Sequence, residues 1–290
     1  MMTLGRSFAE QRYVSDVLEE LLDAASTREA VRAYCRSLIR ELSPALRTPL
    51  EPIADYVGGK CMGYPAIWFL ERLLAQPARA IIERCRSALC VSLSTSIVDD
   101  LADRDESFGP EYLAFLYVLV GEAVHTGTRD HAVRKRLHHA LDVCLNPDAP
   151  LASARTARRG NRIGAFYAMI ATSAVGGLLG PSRAAVAVDA TARFGEICAH
   201  LDDWMDAQRD LERGAVENVA VALLRERLAG RAPLRDDLVL HALWLDERMR
   251  LLLETRAGDA VAMLAQNGFT HASLALGAVL RRCQDSSQHM

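Results

Sequence analysis

Two short acidic motifs with the same spacing are the residues of this sequence best suited to chemistry. They consist of Asp99, Asp100 and Asp103, and of Asp202, Asp203 and Asp206. Residues three or four apart share one face of a helix, so each motif would present clustered carboxylates that repel one another. Such a cluster needs a cation, and hard carboxylate oxygens suit Mg²⁺, which also binds phosphate groups. One motif alone equally fits a solvated acidic patch, but two copies favour a shared site for several Mg²⁺ ions and a diphosphate.

Both motifs follow segments with helical character. Residues 88–98 are almost all apolar or small, which predicts a helix surrounded by protein on every side. Small residues lie on the motif-bearing face of both helices, namely Ser92, Thr95 and Ser96 in the first and Gly195 and Ala199 in the second. Small side chains favour a cavity beside the metal site, although close packing of two helices would also require them.

Basic residues could complete a phosphate site. Gly58-Gly59-Lys60 precedes an apolar helix, so its backbone N–H groups and its ammonium could bind a phosphate, with a plain turn as the alternative. Residues 158–162, which end in Arg162, are either a solvated surface or a diphosphate clamp. His200 beside the second motif is expected to be a satisfied core residue, and Glu122 to make a polar contact at a helix end.

A set of helices must position these groups. β-branched runs with period two do not occur, and prolines are expected between helices and not inside them. The sequence therefore predicts an all-α fold in a single domain that spans residues 1–290. The expected helices lie near residues 8–24, 28–43, 49–75, 78–105, 110–126, 129–145, 151–179, 182–212, 214–230, 235–256 and 258–282.

Composition excludes several function classes. A formal net charge of −3 gives no reason to expect a nucleic acid or an anionic membrane surface as partner. Seven scattered cysteines without close pairs are typical of reduced core thiols in a cytoplasmic protein. The first residues do not resemble a secretory signal, and the longest apolar stretch is too short for a membrane span, so no stable membrane anchor is expected.

These motifs, in this order, resemble those of the trans-isoprenyl diphosphate synthases and of the wider class I terpenoid synthase fold. The likeness covers about residues 50–225, and the paired aspartate motifs are its specific part. Four further stretches are similar to family motifs: Gly58-Gly59-Lys60, Gly121-Glu122, Arg162-Ile163-Gly164-Ala165-Phe166, and Asp210-Leu211-Glu212-Arg213-Gly214.

The resemblance implies a helical bundle whose central cavity binds an allylic prenyl diphosphate through about three Mg²⁺ ions. Asp99, Asp103 and Asp202 would be direct, catalytic Mg²⁺ ligands, and Asp100, Asp203 and Asp206 would lie in the first or second coordination shell. Arg162 and Lys60 would contact the diphosphate. Ser94 and Thr95 would set the length of the prenyl chain, and aromatic faces would guide the carbocation, with Trp204, Phe166, Tyr167 and Trp68 as candidates.

The sequence also departs from the family pattern. Cys61 stands where the elongating members have an arginine, and residues 104–110 lack their arginine pair. The Gly-Lys after the second motif is replaced by Gly214-Ala215. A second diphosphate would lose most of its cationic contacts, each a charge-assisted hydrogen bond of roughly 1.5–3 kcal/mol. The half of the site for the metals and the allylic substrate is kept.

The best interpretation is a Mg²⁺-dependent terpene synthase. It would ionise a prenyl diphosphate with fifteen or more carbons and convert the carbocation to a hydrocarbon or an alcohol. One alternative is a trans-prenyltransferase that condenses an allylic diphosphate with isopentenyl diphosphate, and another is a non-catalytic partner subunit of such an enzyme. A homodimer is expected for the enzyme.

Overall fold

The computed structural model describes residues 24–60, 63–102, 109–127, 154–213 and 218–286. Over these residues the fold is all-α, as the sequence predicts, and they contain no strand. The helices are α1 (Ala25–Leu38), α2 (Pro44–Gly58), α3 (Tyr64–Leu74), α4 (Ala78–Ala102), α5 (Pro110–Gly127), α6 (Ala154–Val175), α7 (Pro181–Met205), α8 (Ala207–Glu212), α9 (Val219–Arg227), α10 (Arg235–Leu240), α11 (Ala242–Gln266) and α12 (Thr270–Ser286). The expected helices near 8–24 and 129–145 lie outside the described residues.

Several expected helix boundaries are wrong. The single helix expected over 49–75 is two helices, because α2 ends at Gly58 and α3 starts at Tyr64. Pro49 and Pro52 lie inside α2, although prolines were expected only between helices. A proline removes one N–H donor from a helix interior. Burial of Leu50, Ala54 and Val57 on one face of α2 offsets that loss.

Helix α3 is the centre of the bundle. It packs against α1, α4, α6, α7 and α12, and eight of its eleven residues are buried. Phe194 of α7 stacks on two of its aromatic rings, with centroids 4.7 Å from Phe69 and 5.6 Å from Trp68. The helix expected to be buried on every side, over 88–98, is less enclosed, since Val98 on α4 is 52% exposed. The first acidic motif therefore begins where α4 reaches the surface.

Helices α6 and α7 form a tight antiparallel hairpin. A Cβ atom on Gly195 would lie 2.8 Å from the Tyr167 ring and 3.1 Å from the Cα of Gly164. A Cβ atom on Gly164 would lie 3.0 Å from the carbonyl oxygen of Ala192. The glycine at position 195 therefore allows close packing of α6 against α7 and leaves no cavity there. This corrects the sequence-based interpretation that Gly195 lines a cavity. Ala199, one turn further, is fully buried.

Helix α4 also runs antiparallel to α6. Arg84, near the start of α4, donates from Nε to the carbonyl oxygen of Ala174 (2.9 Å) and from Nη2 to that of Gly176 (2.5 Å), at the end of α6. Because α4 and α6 pack side by side from that point, α4 ends beside the first turns of α6. Helix α7 ends beside the same turns, because Gly195 meets Gly164. The carboxyl ends of α4 and α7 therefore lie toward the same end of α6.

A second, smaller apolar cluster lies beyond the second motif. It is built from α8, α9 and α11 around Ala207, Val219, Ala220, Leu245 and Met249. Trp204 packs against both this cluster and the main core. Within the described ranges, none of the helices has the length and apolar character needed to cross a membrane.

The four cysteines whose side chains are described are free thiols, as expected from their scattered positions. Cys35, Cys85 and Cys90 are buried, and Cys198 is half-buried. Burial raises the pKa of Cys90 to about 12, and the Tyr34 hydroxyl lies 3.3 Å from its sulfur. This thiol is therefore protonated and unreactive at neutral pH.

Candidate metal and diphosphate site

The first acidic motif lies at the end of α4, and the structure joins it to Lys60. The ammonium of Lys60 donates to Oδ1 of Asp100, and both side chains are mostly buried. Two residues that the sequence assigns to one site, forty positions apart, are thus brought together. The side chain of Asp99 and the whole of Asp103 lie outside the described residues.

Lys60 stays charged in this position. Burial lowers the pKa of Lys60, but the hydrogen bond to Asp100 and the charge of that carboxylate raise it, and the net result lies above the ordinary value. The ammonium also lies 4.9 Å from the centroid of the Tyr56 ring. Lys60 therefore carries a fixed positive charge beside the first motif, which eases the repulsion among its carboxylates.

The backbone around Lys60 does not form the expected phosphate cradle. The N–H of Gly59 donates to the carbonyl oxygens of Asp55 and Tyr56, and the N–H of Lys60 donates to that of Val57. These groups close the carboxyl end of α2, so they are not available to an anion. The expectation of backbone N–H donors here is wrong, and only the ammonium remains for such a role.

The two glycines have a packing reason instead. A Cβ atom on Gly58 would lie 2.8 Å from the Cα of Arg32 on α1. A Cβ atom on Gly59 would lie 2.7 Å from an Nη atom of the same arginine. At Gly58 the absence of a side chain lets α1 pass close to the end of α2, whereas at Gly59 the neighbour is the movable guanidinium of Arg32.

The second acidic motif lies at the end of α7, and its three aspartates have different surroundings. Asp202 is half-buried, Asp203 has no exposed surface, and Asp206 caps the end of the helix. The backbone N–H of Asp206 donates to the carbonyl oxygen of Asp202 at 2.9 Å. The carboxylate of Asp206 accepts a hydrogen bond from Arg209. Asp202 and Asp206 therefore lie on the accessible side of the helix end.

Asp203 belongs to a buried polar network that the sequence did not predict. Its Oδ2 accepts from the backbone N–H of Val219 at 2.9 Å, at the start of α9. Asn218, 1% exposed, donates from Nδ2 to the carbonyl oxygen of Asp203 (2.7 Å) and to Oδ2 of Asp210 (2.8 Å). Its own Oδ1 accepts from Val221, which makes Asn218 the N-cap of α9. An asparagine before an apolar helix is the sequence signal that could have found this cap.

The small polar residues of α4 use their hydroxyls inside the helix. Ser94 donates to the carbonyl oxygen of Cys90 at 2.8 Å, and Thr95 donates to that of Val91 at 3.0 Å. Both side chains are half-buried, whereas Ser92 and Ser96 are buried. Because these hydroxyls are satisfied, Ser94 and Thr95 present a small and weakly polar surface. Their contact with a prenyl chain stays a prediction.

The candidate aromatic residues lie mostly in the core. Phe166 is 3% exposed and Tyr167 is fully buried. Trp68 is also buried, and the guanidinium of Arg72 lies 4.0 Å from its ring centroid. Trp204 is half-buried, and its indole N–H donates to Oδ1 of Asp246 on α11 at 2.9 Å. That contact fixes the Trp204 ring beside the second motif, while Trp68 is fully engaged in packing.

Two further polar residues differ from expectation. Burial, assisted by the charge of Arg256, lowers the pKa of His200 to about 4, so the imidazole is neutral at pH 7. Within the described part of the chain its Nδ1 is buried without a hydrogen-bond partner, so His200 is not the satisfied core residue expected. Glu122 lies inside α5 and forms an ion pair of 2.7 Å with Arg86 of α4.

The donor chemistry of three described motif carboxylates suits a hard cation. Asp100, Asp202 and Asp206 present only carboxylate oxygens, which are the ligands that Mg²⁺ prefers. Among the described side chains, no group of three or more His, Cys, Asp or Glu residues is placed to hold a metal ion. Arg162 lies on α6, and its side chain, like that of Asp99, is outside the described part.

Comparison of the chain with protein-family models, with curated proteins and with solved structures finds no match.

Proposed function

We propose that this protein is a Mg²⁺-dependent class I terpene synthase that ionises an allylic prenyl diphosphate. The observation that carries the proposal is the direction of three helices. Helices α4 and α7 run antiparallel to α6, so their carboxyl ends, with Asp100 and Asp202, lie toward the amino-terminal half of α6, to which Arg162 belongs. Carboxylates from two aspartate motifs together with a guanidinium would be suited to hold a metal-bound diphosphate.

Each residue has a distinct role in this proposal. Asp99, Asp103 and Asp202 would hold about three Mg²⁺ ions directly, and Asp100 and Asp206 would assist them. When bound, the metal would supply charge stabilisation for a leaving diphosphate. Arg162 and Lys60 donate to the diphosphate oxygens, and their interaction strengthens as negative charge grows on the leaving group. Asp203 is already engaged with Val219, so it acts through the position of the helix end.

The substrate is a prenyl diphosphate of fifteen or more carbons. Its chain would lie beside Ser94 and Thr95, whose small side chains leave no aromatic barrier one turn before the first motif. Trp204, held by Asp246, and Phe166 would offer aromatic faces to the carbocation, worth about 0.5–2 kcal/mol each. The product would be a hydrocarbon or an alcohol.

The protein would act as a cytoplasmic homodimer. The exposed positions along α5 include Leu113, Tyr117, Val120 and Val124, together with the imidazole of His125. A mostly apolar face meets little like-charge repulsion when it packs against its own copy. The free thiols of Cys35, Cys85, Cys90 and Cys198 support a reducing compartment.

The test is release of diphosphate from a fifteen-carbon prenyl diphosphate in the presence of Mg²⁺. Asp99→Asn and Asp202→Asn should each lower the rate by at least about a thousandfold, since metal-held charge is the main catalytic contribution. The control is Asp189→Asn on α7, an exposed aspartate paired with Arg193, which should leave the rate unchanged. Near-normal rates in both motif variants would overturn the proposed metal site.

A further inference from the structure

Asn218 is a buried amide to which the proposed reaction assigns no part. It is 1% exposed, and both ends of its side chain make hydrogen bonds. Its Nδ2 donates to the backbone carbonyl oxygen of Asp203 (2.7 Å) and to Oδ2 of Asp210 (2.8 Å). Its Oδ1 accepts from the backbone N–H of Val221 at 3.0 Å. One side chain therefore joins the end of α7, the short helix α8 and the first turn of α9.

The contact with Asp203 closes the carboxyl end of α7. The last turn of a helix leaves its carbonyl oxygens without partners inside the helix. Asn218 donates to one of these oxygens, while its Oδ1 serves as the N-cap of α9. In return, Oδ2 of Asp203 accepts from the backbone N–H of Val219 at 2.9 Å. The end of α7 and the start of α9 are thus joined by a reciprocal pair of hydrogen bonds.

The contact with Asp210 holds α8 at the same point. The backbone N–H of Asp206 donates to the carbonyl oxygen of Asp202 at 2.9 Å, and that of Asp210 donates to the carbonyl oxygen of Asp206 at 2.8 Å. Asp206 itself lies at the junction between α7 and α8. Because Asn218 binds Asp203 before this junction and Asp210 after it, the backbone on both sides of Asp206 is fixed.

We propose that Asn218 is a positioning residue of the second acidic motif, which sets the direction of the Asp202 and Asp206 carboxylates by holding the backbone around them. This inference rests on the proposed function, because the direction matters for chemistry only if these carboxylates bind Mg²⁺. Residues that orient metal ligands typically contribute roughly ten- to a hundredfold to metal affinity. A neutral amide suits this role, since it donates to oxygen atoms without adding a charge that would repel the metal.

The test compares two substitutions that separate helix capping from positioning. Asn218→Ser keeps an oxygen that can cap α9 but loses both Nδ2 donors, whereas Asn218→Ala loses all three hydrogen bonds. Electron paramagnetic resonance measures the binding of Mn²⁺, a paramagnetic substitute for Mg²⁺, to each purified protein. Both variants should bind Mn²⁺ roughly ten- to a hundredfold more weakly than the wild type. Urea unfolding without metal should nevertheless show that Asn218→Ser is the more stable of the two.

Arg84→Met is the matched control. It also removes two hydrogen bonds to helix-end carbonyl oxygens, those of Ala174 and Gly176, but at the opposite end of α6. It should lower stability in urea and leave Mn²⁺ affinity unchanged. An equal loss of affinity in this variant would overturn the positioning role, because affinity would then follow stability alone.

The remaining outcomes distinguish this inference from the proposed function. Normal Mn²⁺ binding by Asn218→Ser would overturn the positioning role and leave the proposed metal site intact. If the wild-type protein bound no Mn²⁺, the metal site itself would be overturned, and the role of Asn218 with it.

Discussion

Asp203 and Asp206 belong to one motif but have opposite surroundings. Asp203 has no exposed surface and accepts from the backbone of Val219, whereas Asp206 is half-buried and paired with Arg209. Asp203→Ala should therefore lower the free energy of unfolding by about 2–3 kcal/mol, since it leaves a buried N–H without an acceptor. Asp203→Asn keeps an acceptor oxygen and should lose less. Urea unfolding without Mg²⁺ measures both.

Asp206→Ala is the control for that comparison. Its ion pair with Arg209 involves a half-exposed arginine, so its loss should cost only about 0–1 kcal/mol. If Asp203→Ala and Asp206→Ala unfolded at the same urea concentration as the wild type, the buried network around Asn218 would not stabilise the end of α7.

The charge of Lys60 gives a second prediction for a single residue. Lys60→Met should lower the second-order rate constant for diphosphate release by roughly ten- to a hundredfold, since one charge-assisted hydrogen bond is worth about 1.5–3 kcal/mol. Lys60→Arg keeps the charge and should retain most of the rate. Equal rates for Lys60→Met and the wild type would reduce Lys60 to a structural partner of Asp100.

Some residue roles could be predicted from the sequence and others could not. The spacing of the aspartates identifies the motifs, because residues three or four apart lie on the same face of one helix. The pairing of Lys60 with Asp100 and the burial of Asp203 depend on contacts between separate helices, which local spacing does not contain. The Asn218 cap was readable, since the asparagine directly precedes an apolar helix.

At the scale of elements, the close approach of α6 and α7 at Gly195 decides where both motifs lie. Gly195→Ala should lower the free energy of unfolding by about 1–3 kcal/mol, because its Cβ would lie 2.8 Å from the Tyr167 ring and force the helices apart. The control is Gly258→Ala within α11, where a Cβ meets nothing within 4 Å.

Gly258→Ala should stabilise the protein by up to about 1 kcal/mol, since alanine restricts the unfolded chain and suits a helix. Urea unfolding of the two variants compares the sites directly. If the Gly195→Ala protein were as stable as Gly258→Ala, there would be space for a side chain between α6 and α7. The interpretation of Gly195 as a cavity residue would then be supported.

Helical periodicity predicted most elements but misplaced their ends. The apolar pattern continues from α2 into α3, so the sequence showed one helix where two occur. The pattern before the first motif also overstated the burial of α4, because periodicity reports which residues are apolar and not which neighbours cover them. Val98 and Leu101 are apolar yet 52% and 36% exposed.

For the molecule as a whole, the mostly apolar exposed face of α5 predicts the oligomeric state. The wild-type protein should be a dimer in light scattering after size exclusion. Tyr117→Glu combined with Val124→Glu, at positions 76% and 61% exposed, should give a monomer because a two-fold contact would bring four carboxylates together. Leu274→Glu on α12 should stay dimeric. A monomeric wild type, or a dimeric double variant, would contradict an α5 interface.

We propose that the protein turns a single prenyl diphosphate into a terpene. The most direct measurement incubates the purified protein with Mg²⁺ and prenyl diphosphates of fifteen and twenty carbons, with and without isopentenyl diphosphate, and identifies the extracted products. We expect a hydrocarbon or an alcohol that forms only with Mg²⁺, disappears with a chelator, and is unchanged by isopentenyl diphosphate. Consumption of isopentenyl diphosphate with release of longer diphosphates would instead identify a prenyltransferase. The absence of any product would show that the protein is not a terpene synthase and would favour a non-catalytic subunit.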